Sequence, residues 1–167
     1  MFNFNPATWF VNLPPEVATF LLSMIPITEL RASIPIGIEV YGLAVWKVWV
    51  IAIIGDIVPA FFILLLMPYA HKLAIKYQLF GKFLTNELEN AERKFSGKYE
   101  KYGSIALIIF VGIPLPFTGS WTASLASFVF NIPLKKSFPL ILLGVCMAAT
   151  IVMLITLFAS NFLGWIL

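Results

Sequence analysis

The chain alternates long uncharged apolar stretches with short polar breaks, and the stretches come in two lengths. Crossing a bilayer as a helix takes about 20 residues at a rise of about 1.5 Å each. Two stretches reach that length, roughly Ala44 to Tyr69 and Phe138 to Trp165. Three do not. Glu16 to Ile25 is closed by Pro26, Ile34 to Leu43 is opened by Pro35, and Ser104 to Ile113 runs into Gly112-Ile-Pro-Leu-Pro116. A moderately polar run, Ser120 to Asn131, follows and is closed by Pro133. Pieces of about ten residues reach only half-way across. Paired around prolines, they predict re-entrant hairpins broken at Pro26 and Pro35 in the first and at Pro114, Pro116 and Gly119 in the second. A break at membrane depth persists only where protein or a wet cavity covers the freed backbone groups, so each hairpin already points to a site.

The two halves align on each other. Ser23-Met24-Ile25-Pro26-Ile27 matches Val111-Gly112-Ile113-Pro114-Leu115 at an offset of 88, and with one residue inserted near Asn131 Lys47 falls on Lys136 and Gly55 on Gly144. Each half then reads as half-helix, proline, polar break, half-helix, lysine-bearing turn and full-length helix. A hairpin returns to its own side and the long helix crosses, so the second half enters from the opposite face and the repeats are inverted. The expected architecture is one all-α integral membrane domain over 1–167. Repeat 1 spans about 16–69, a linker 70–102, and repeat 2 about 103–165.

Composition sharpens this picture. Hydrophobic residues make up 60% of the chain and charged residues 11%, against about a quarter charged in ordinary soluble domains. The basic residues are too few and too dispersed for nucleic acid. Lys72, Lys76, Lys82, Arg93, Lys94, Lys98, Lys101, Lys135 and Lys136 share one face of the expected topology, which makes that face cytoplasmic and puts both termini outside. Met1 to Leu13 has no lysine or arginine, unlike a secretory leader, and its Phe2, Phe4, Trp9 and Phe10 suit the headgroup boundary. In the linker, Leu84, Leu88, Ala91 and Phe95 recur at helical spacing behind a Thr85 cap, which predicts an amphipathic helix on the cytoplasmic surface. His71, the single histidine, reads as interfacial, and Cys146, the single cysteine, as a small buried hydrophobe. No phosphate-binding glycine loop, metal-ligand cluster or serine nucleophile motif is present, so the reading is not an enzyme, with no cofactor and no metal.

Four ionisable residues fall where hydrocarbon or a hairpin break is expected: Glu29, Arg31, Glu39 and Asp56. Each costs at least a few kcal/mol to insert, so each is expected to pair or to line a polar path. Glu29 and Arg31 lie within the first break. Residues two apart do not face each other on a helix, so the pair meets only if the break is irregular. An arginine beside freed backbone N–H groups suits a phosphate or carboxylate. Asp56 precedes Pro59 by three residues, where the helix loses a backbone bond and can open a wet kink. A carboxylate out of bulk water can bind and release protons near neutral pH, which makes Glu39 and Asp56 candidate proton carriers. The second break has no charge and offers Thr118, Ser120, Thr122 and two glycines. Ser120, Ser124 and Ser127 share one helical face, either for close packing or as a substrate-facing stripe.

The breaks Pro26-Ile-Thr-Glu-Leu-Arg-Ala-Ser-Ile-Pro35 and Gly112-Ile-Pro-Leu-Pro-Phe-Thr-Gly-Ser-Trp121 resemble the small multidrug export family, over roughly residues 16 to 165. That family looks like a distant relative of the DedA membrane proteins, which share paired re-entrant hairpins in inverted repeats. The resemblance implies movement of an anionic or phosphate-bearing lipid carrier, with proton coupling. By position, Glu29 and Glu39 resemble the acidic residues near the first DedA hairpin. DedA proteins carry arginines in the second hairpin, whereas here that hairpin is uncharged and the arginine is Arg31 in the first. The expected substrate site is therefore Arg31 and Glu29 with Thr118 and Ser120, and Glu39 or Asp56 handles protons. The expected partners are membrane lipids and a second copy of the chain, a dimer covering the broken segments. Two other readings stay open. One is an exporter of small cations or drugs that uses the buried acids, and the other is a gradient-independent lipid scramblase or structural membrane factor.

Overall fold

The computed structural model describes residues 6–10, 12–76, 107–114, 119–129 and 132–166, with the side chains of 7, 70–76, 129 and 161–166 set aside. The expected amphipathic linker helix, the His71 side chain and the break residues Pro116 and Thr118 lie outside what is described. Among the described residues all regular structure is helical.

A single 3-10 turn over Pro6–Thr8 precedes α1, Pro15–Met24. Pro15 opens α1 where its missing N–H costs nothing, and Glu16 in the first turn favours the positive end of the helix dipole. Pro26 ends the helix. Thr28 then turns its hydroxyl back on the C-terminal carbonyls of α1, donating to Leu22 and to Ile25 at 2.5 and 3.3 Å. The next helix, α2, runs Glu29–Pro35 and continues through a wider π-type turn over Ile36–Val40, closed by Tyr41 N–H on the Ile36 carbonyl at 2.9 Å. This differs from the expected half-helix beginning near Ile34. The irregular break is confined to residues 25–28, Arg31 lies in a helix, and Pro35 sits inside the run rather than breaking it. A wider turn follows directly after Pro35, whose missing N–H cannot bond the Arg31 carbonyl.

Two long helices dominate. α3 is Val45–Lys76, with the stretch Val45–Tyr69 apolar enough to cross a membrane; the corresponding stretch of the final helix is Leu134–Ser160. Between them, residues 107–112 are helical and α4 spans Ser120–Val129. The final helix, α5, is Leu134–Ile166. Only 39% of each crossing stretch is buried by the rest of the chain, which argues against two core helices of a soluble protein. Ile54, Phe62 and Leu66 on α3 and Leu143, Ile155 and Phe158 on α5 present bare hydrocarbon outwards. Trp46 and Tyr69, both exposed, lie ~35 Å apart along α3, the spacing of aromatic rings at two membrane boundaries.

α3 and α5 pack antiparallel. Trp49 Nε1 donates to Thr150 Oγ1 at 3.2 Å near one end, and the Phe61 and Phe138 rings meet edge to face at 5.6 Å near the other. Gly55 and Gly144 lie midway between these contacts. A Cβ on Gly55 would come within 2.6 Å of the Phe20 carbonyl oxygen and 2.8 Å of Ser23 Cβ, so α1 rests directly on the α3 backbone. A Cβ on Gly144 would come within 2.6 Å of Val111 Cβ and 3.0 Å of the Ile108 carbonyl oxygen, so residues 107–112 rest on α5 in the same manner. Each half also reaches across to the other: α2 packs on α5, and α4 packs on α3.

Candidate functional site

The two breaks meet. Gly119 presses its backbone against the Glu29 carboxylate so closely that any Cβ there would overlap both carboxylate oxygens. Trp121 Nε1 donates at 3.2 Å to the Met24 carbonyl, one of the orphan acceptors at the C-terminus of α1. Ser120 Oγ donates at 3.0 Å to the Asp56 carbonyl in mid-α3. Pro59 explains why α3 is open to such a bond: it has no N–H for the carbonyl of Gly55, one residue earlier, and the helix is loosened there.

Glu29 takes a left-handed backbone conformation, φ +42°, at the start of α2. That twist brings its carboxylate round to Arg31, with Oε2 3.7 Å from Nη1, although regular helical spacing would keep the two apart. The strain of such a φ on a non-glycine residue is typical of over-determined functional positions. Glu29 is nearly enclosed, at 7% exposure, whereas Arg31 keeps 24%. Asp56 is 1% exposed and lies within the electrostatic reach of both Glu29 and Arg31. Its Oδ1 has no hydrogen-bond partner among the described residues. A buried polar atom left unbonded costs about 1–3 kcal/mol, so Asp56 is expensive to keep on stability grounds alone.

These groups line a cavity of about 10 Å³, room for the centre of one water molecule. Its walls are Glu29, Leu30 and Arg31 from α2, Asp56 from α3, Val111 and Pro114, Gly119 and Ser120 from the second break, and Ala148 from α5. Two carboxylates and one guanidinium thus converge where both broken segments and both long helices come together.

Of the residues singled out in the sequence, Glu29, Arg31, Asp56, Ser120, Pro114 and Gly119 share this place. Pro26 is exposed at the preceding turn. Glu39 does not join them. It is exposed in the π-type turn, because α2 starts five residues early and carries it to the outer end of the run. Ser124 and Ser127 are wholly buried and donate to the carbonyls of Ser120 and Ala123, which is the packing reading of that stripe rather than a substrate-facing one. Trp121, Val111 and Ala148 carry no chemical signature in the sequence. Only the lone indole N–H in a helix of small residues hints that Trp121 needs an acceptor.

No curated protein and no solved structure matches the chain. Residues 29–151, which hold α2, the whole of α3, the second break and the first half of α5, match the family model described as "Putative small multi-drug export protein". The chain is therefore a membrane protein with transmembrane helices and belongs to that small multidrug export family.

Proposed function

We propose that the protein is an exporter of small organic cations, and that its cargo crosses the bilayer at the meeting point of two re-entrant hairpins in two inverted repeats. The repeat reading is supported by the contacts between α3 and α5. Adding 89 to Trp49 gives Phe138 and to Phe61 gives Thr150, so the pairs Trp49–Thr150 and Phe61–Phe138 exchange under the offset found in the sequence. The glycine contacts do the same: Gly55 on Phe20 and Ser23 corresponds to Gly144 on Ile108 and Val111. Such exchange is what a twofold axis between antiparallel helices requires. Inverted repeats with broken helices meeting at mid-depth are a recurrent transporter design.

The observation that carries the cargo class is the charge balance of the cavity. Arg31 faces Glu29 at 3.7 Å, while the buried Asp56 keeps an unbonded Oδ1. With both acids ionised the cluster holds one negative charge in excess, which one proton or one monovalent organic cation neutralises. Competition between the two for Asp56 couples cargo to protons. An anionic cargo on Arg31 would have to displace Glu29, which is held in place by the backbone of Gly119. In the matching topology both termini lie outside and the linker 70–102 lies in the cytoplasm.

The test uses proteoliposomes loaded with tetraphenylphosphonium under an imposed pH gradient. The parent protein moves the cation in a gradient-dependent way, Asp56→Asn does not, and Glu39→Gln, altered outside the cavity, behaves as the parent. Equal transport by Asp56→Asn refutes the assignment. Lipid movement that ignores the gradient, without cation transport, favours a scramblase.

A further inference from the structure

The two halves of the site are packed differently. On the first half, the ground next to α1 is closed: Trp121 of the second break is clasped to the Met24 carbonyl, and Ser23 and Val145 are wholly buried. The positions that correspond to this clasp in the other half are Ser33 and Gly112, 88 residues from Trp121 and Met24 respectively. No equivalent bond is made there. Ser33 Oγ is buried without a hydrogen-bond partner among the described residues. Beyond the charged cluster, Leu30, Gly119 and Ser120, the cavity takes its walls from that half, at Val111, Pro114 and Ala148. Their counterparts are Ser23, Pro26 and Pro59.

We infer that the fold contains a second, closed cavity for the same cationic cargo, walled by Ser23, Pro59 and Val145 and lying behind the exposed Pro26. It opens when Trp121 leaves Met24 and the cavity at Asp56 shuts. This rests on the repeat reading above and goes beyond it. Two packings related by the twofold exchange are made of equivalent backbone contacts, so they lie close in free energy, and packed interfaces switch between discrete arrangements rather than deforming smoothly. Asp56 is placed to serve both cavities. It follows Gly55, which with Gly144 marks the centre of the α3–α5 crossing, so a small rotation turns its carboxylate from one half to the other. Gly119 and Arg31, which correspond under the same offset, both stay at the centre in either state. Glu29 and Asp56 have uncharged counterparts, Phe117 and Val145, so a single charged cluster is shared by the two cavities. The cation therefore changes its access without changing its binding charge.

The experiment compares Ser23→Cys with Val111→Cys, each in a Cys146→Ser background, using a membrane-impermeant thiol reagent applied to either face of sealed vesicles. Adding tetraphenylphosphonium or changing pH is expected to move the two labelling rates in opposite directions, by about tenfold, and from opposite faces. Trp121→Phe, which keeps the ring and removes the N–H, is expected to raise labelling at position 23 and lower it at 111. Rates that rise and fall together, or labelling of both sites from one face, overturn the second cavity. If a cysteine variant fails to accumulate, amide hydrogen exchange of 19–28 against 107–114 in the unaltered chain makes the same comparison. Opposed labelling without cation transport would leave the second cavity standing and remove only the cargo assignment. Transport without opposed labelling would do the reverse.

Discussion

Replacing Gly55 by alanine tests the close approach of α1 to α3. In an ordinary helix interior the change is favourable, by about 0.8–1.0 kcal/mol. Here the new Cβ would sit 2.6 Å from the Phe20 carbonyl oxygen and 2.8 Å from Ser23 Cβ, where ordinary contact begins at 3.4 Å. The obstacles are a helix carbonyl and a Cβ, not the far end of a flexible chain, so α1 as a whole must retreat by roughly 0.6–0.8 Å from α3. Overpacking of this kind costs about 1–3 kcal/mol, which cancels or outweighs the gain in propensity and leaves a net loss of up to about 2 kcal/mol. Gly144→Ala is expected to lose a similar amount, because its Cβ meets Val111 Cβ at 2.6 Å. Gly42→Ala is the contrasting case. Nothing lies within 4 Å of it, and its cost, about 1–2 kcal/mol, comes from a φ of +64° alone. The assay is reversible unfolding of the purified protein in detergent. A Gly55→Ala protein more stable than the parent by the full propensity gain of about 0.8–1.0 kcal/mol would refute the packing described here.

Other perturbations separate function from stability. Asp56→Asn is expected to unfold no more easily than the parent, since it removes a buried charge, while cation transport is lost; a large drop in stability would make Asp56 structural. Gly119→Ala must push the Glu29 carboxylate away from its seat, so transport falls sharply even where the protein accumulates normally, and parent-like transport would show that the breaks do not touch. Trp49→Phe removes the bond to Thr150 at a cost of about 0.5–1 kcal/mol in the same unfolding assay, and no change at all would mean that the bond is not made.

Much of the fold is legible in the sequence because length and proline placement are one-dimensional signals. The apolar runs of α3 and α5 declare themselves as spans, and the offset linking Gly55 to Gly144 marks the two places where helix backbones touch. The site is legible for a different reason. Burying Glu29, Arg31 or Asp56 in an apolar chain needs a cause, and these three of the four charges singled out do converge. What the sequence hides depends on backbone conformation and tertiary contact. Nothing local announces the left-handed turn at Glu29, so its pairing with Arg31 two residues on runs against helical spacing. Pro35 reads as a break, yet the helical run continues through it into a wider turn. That turn also carries Glu39 outwards, away from the cavity that its position in the pattern suggested. Trp121 and Met24 gain their meaning only once two segments 97 residues apart are side by side.

The most direct measurement is a cross-link between the two breaks. Cysteines at 29 and 119 in a Cys146→Ser background are treated in native membranes with a short bifunctional thiol reagent. Rapid cross-linking within one chain, with position 29 slow to react with a bulky impermeant reagent from either face, is the predicted result. Free reaction of position 29 with that reagent, and no bridge to 119, would contradict a buried centre where the breaks meet.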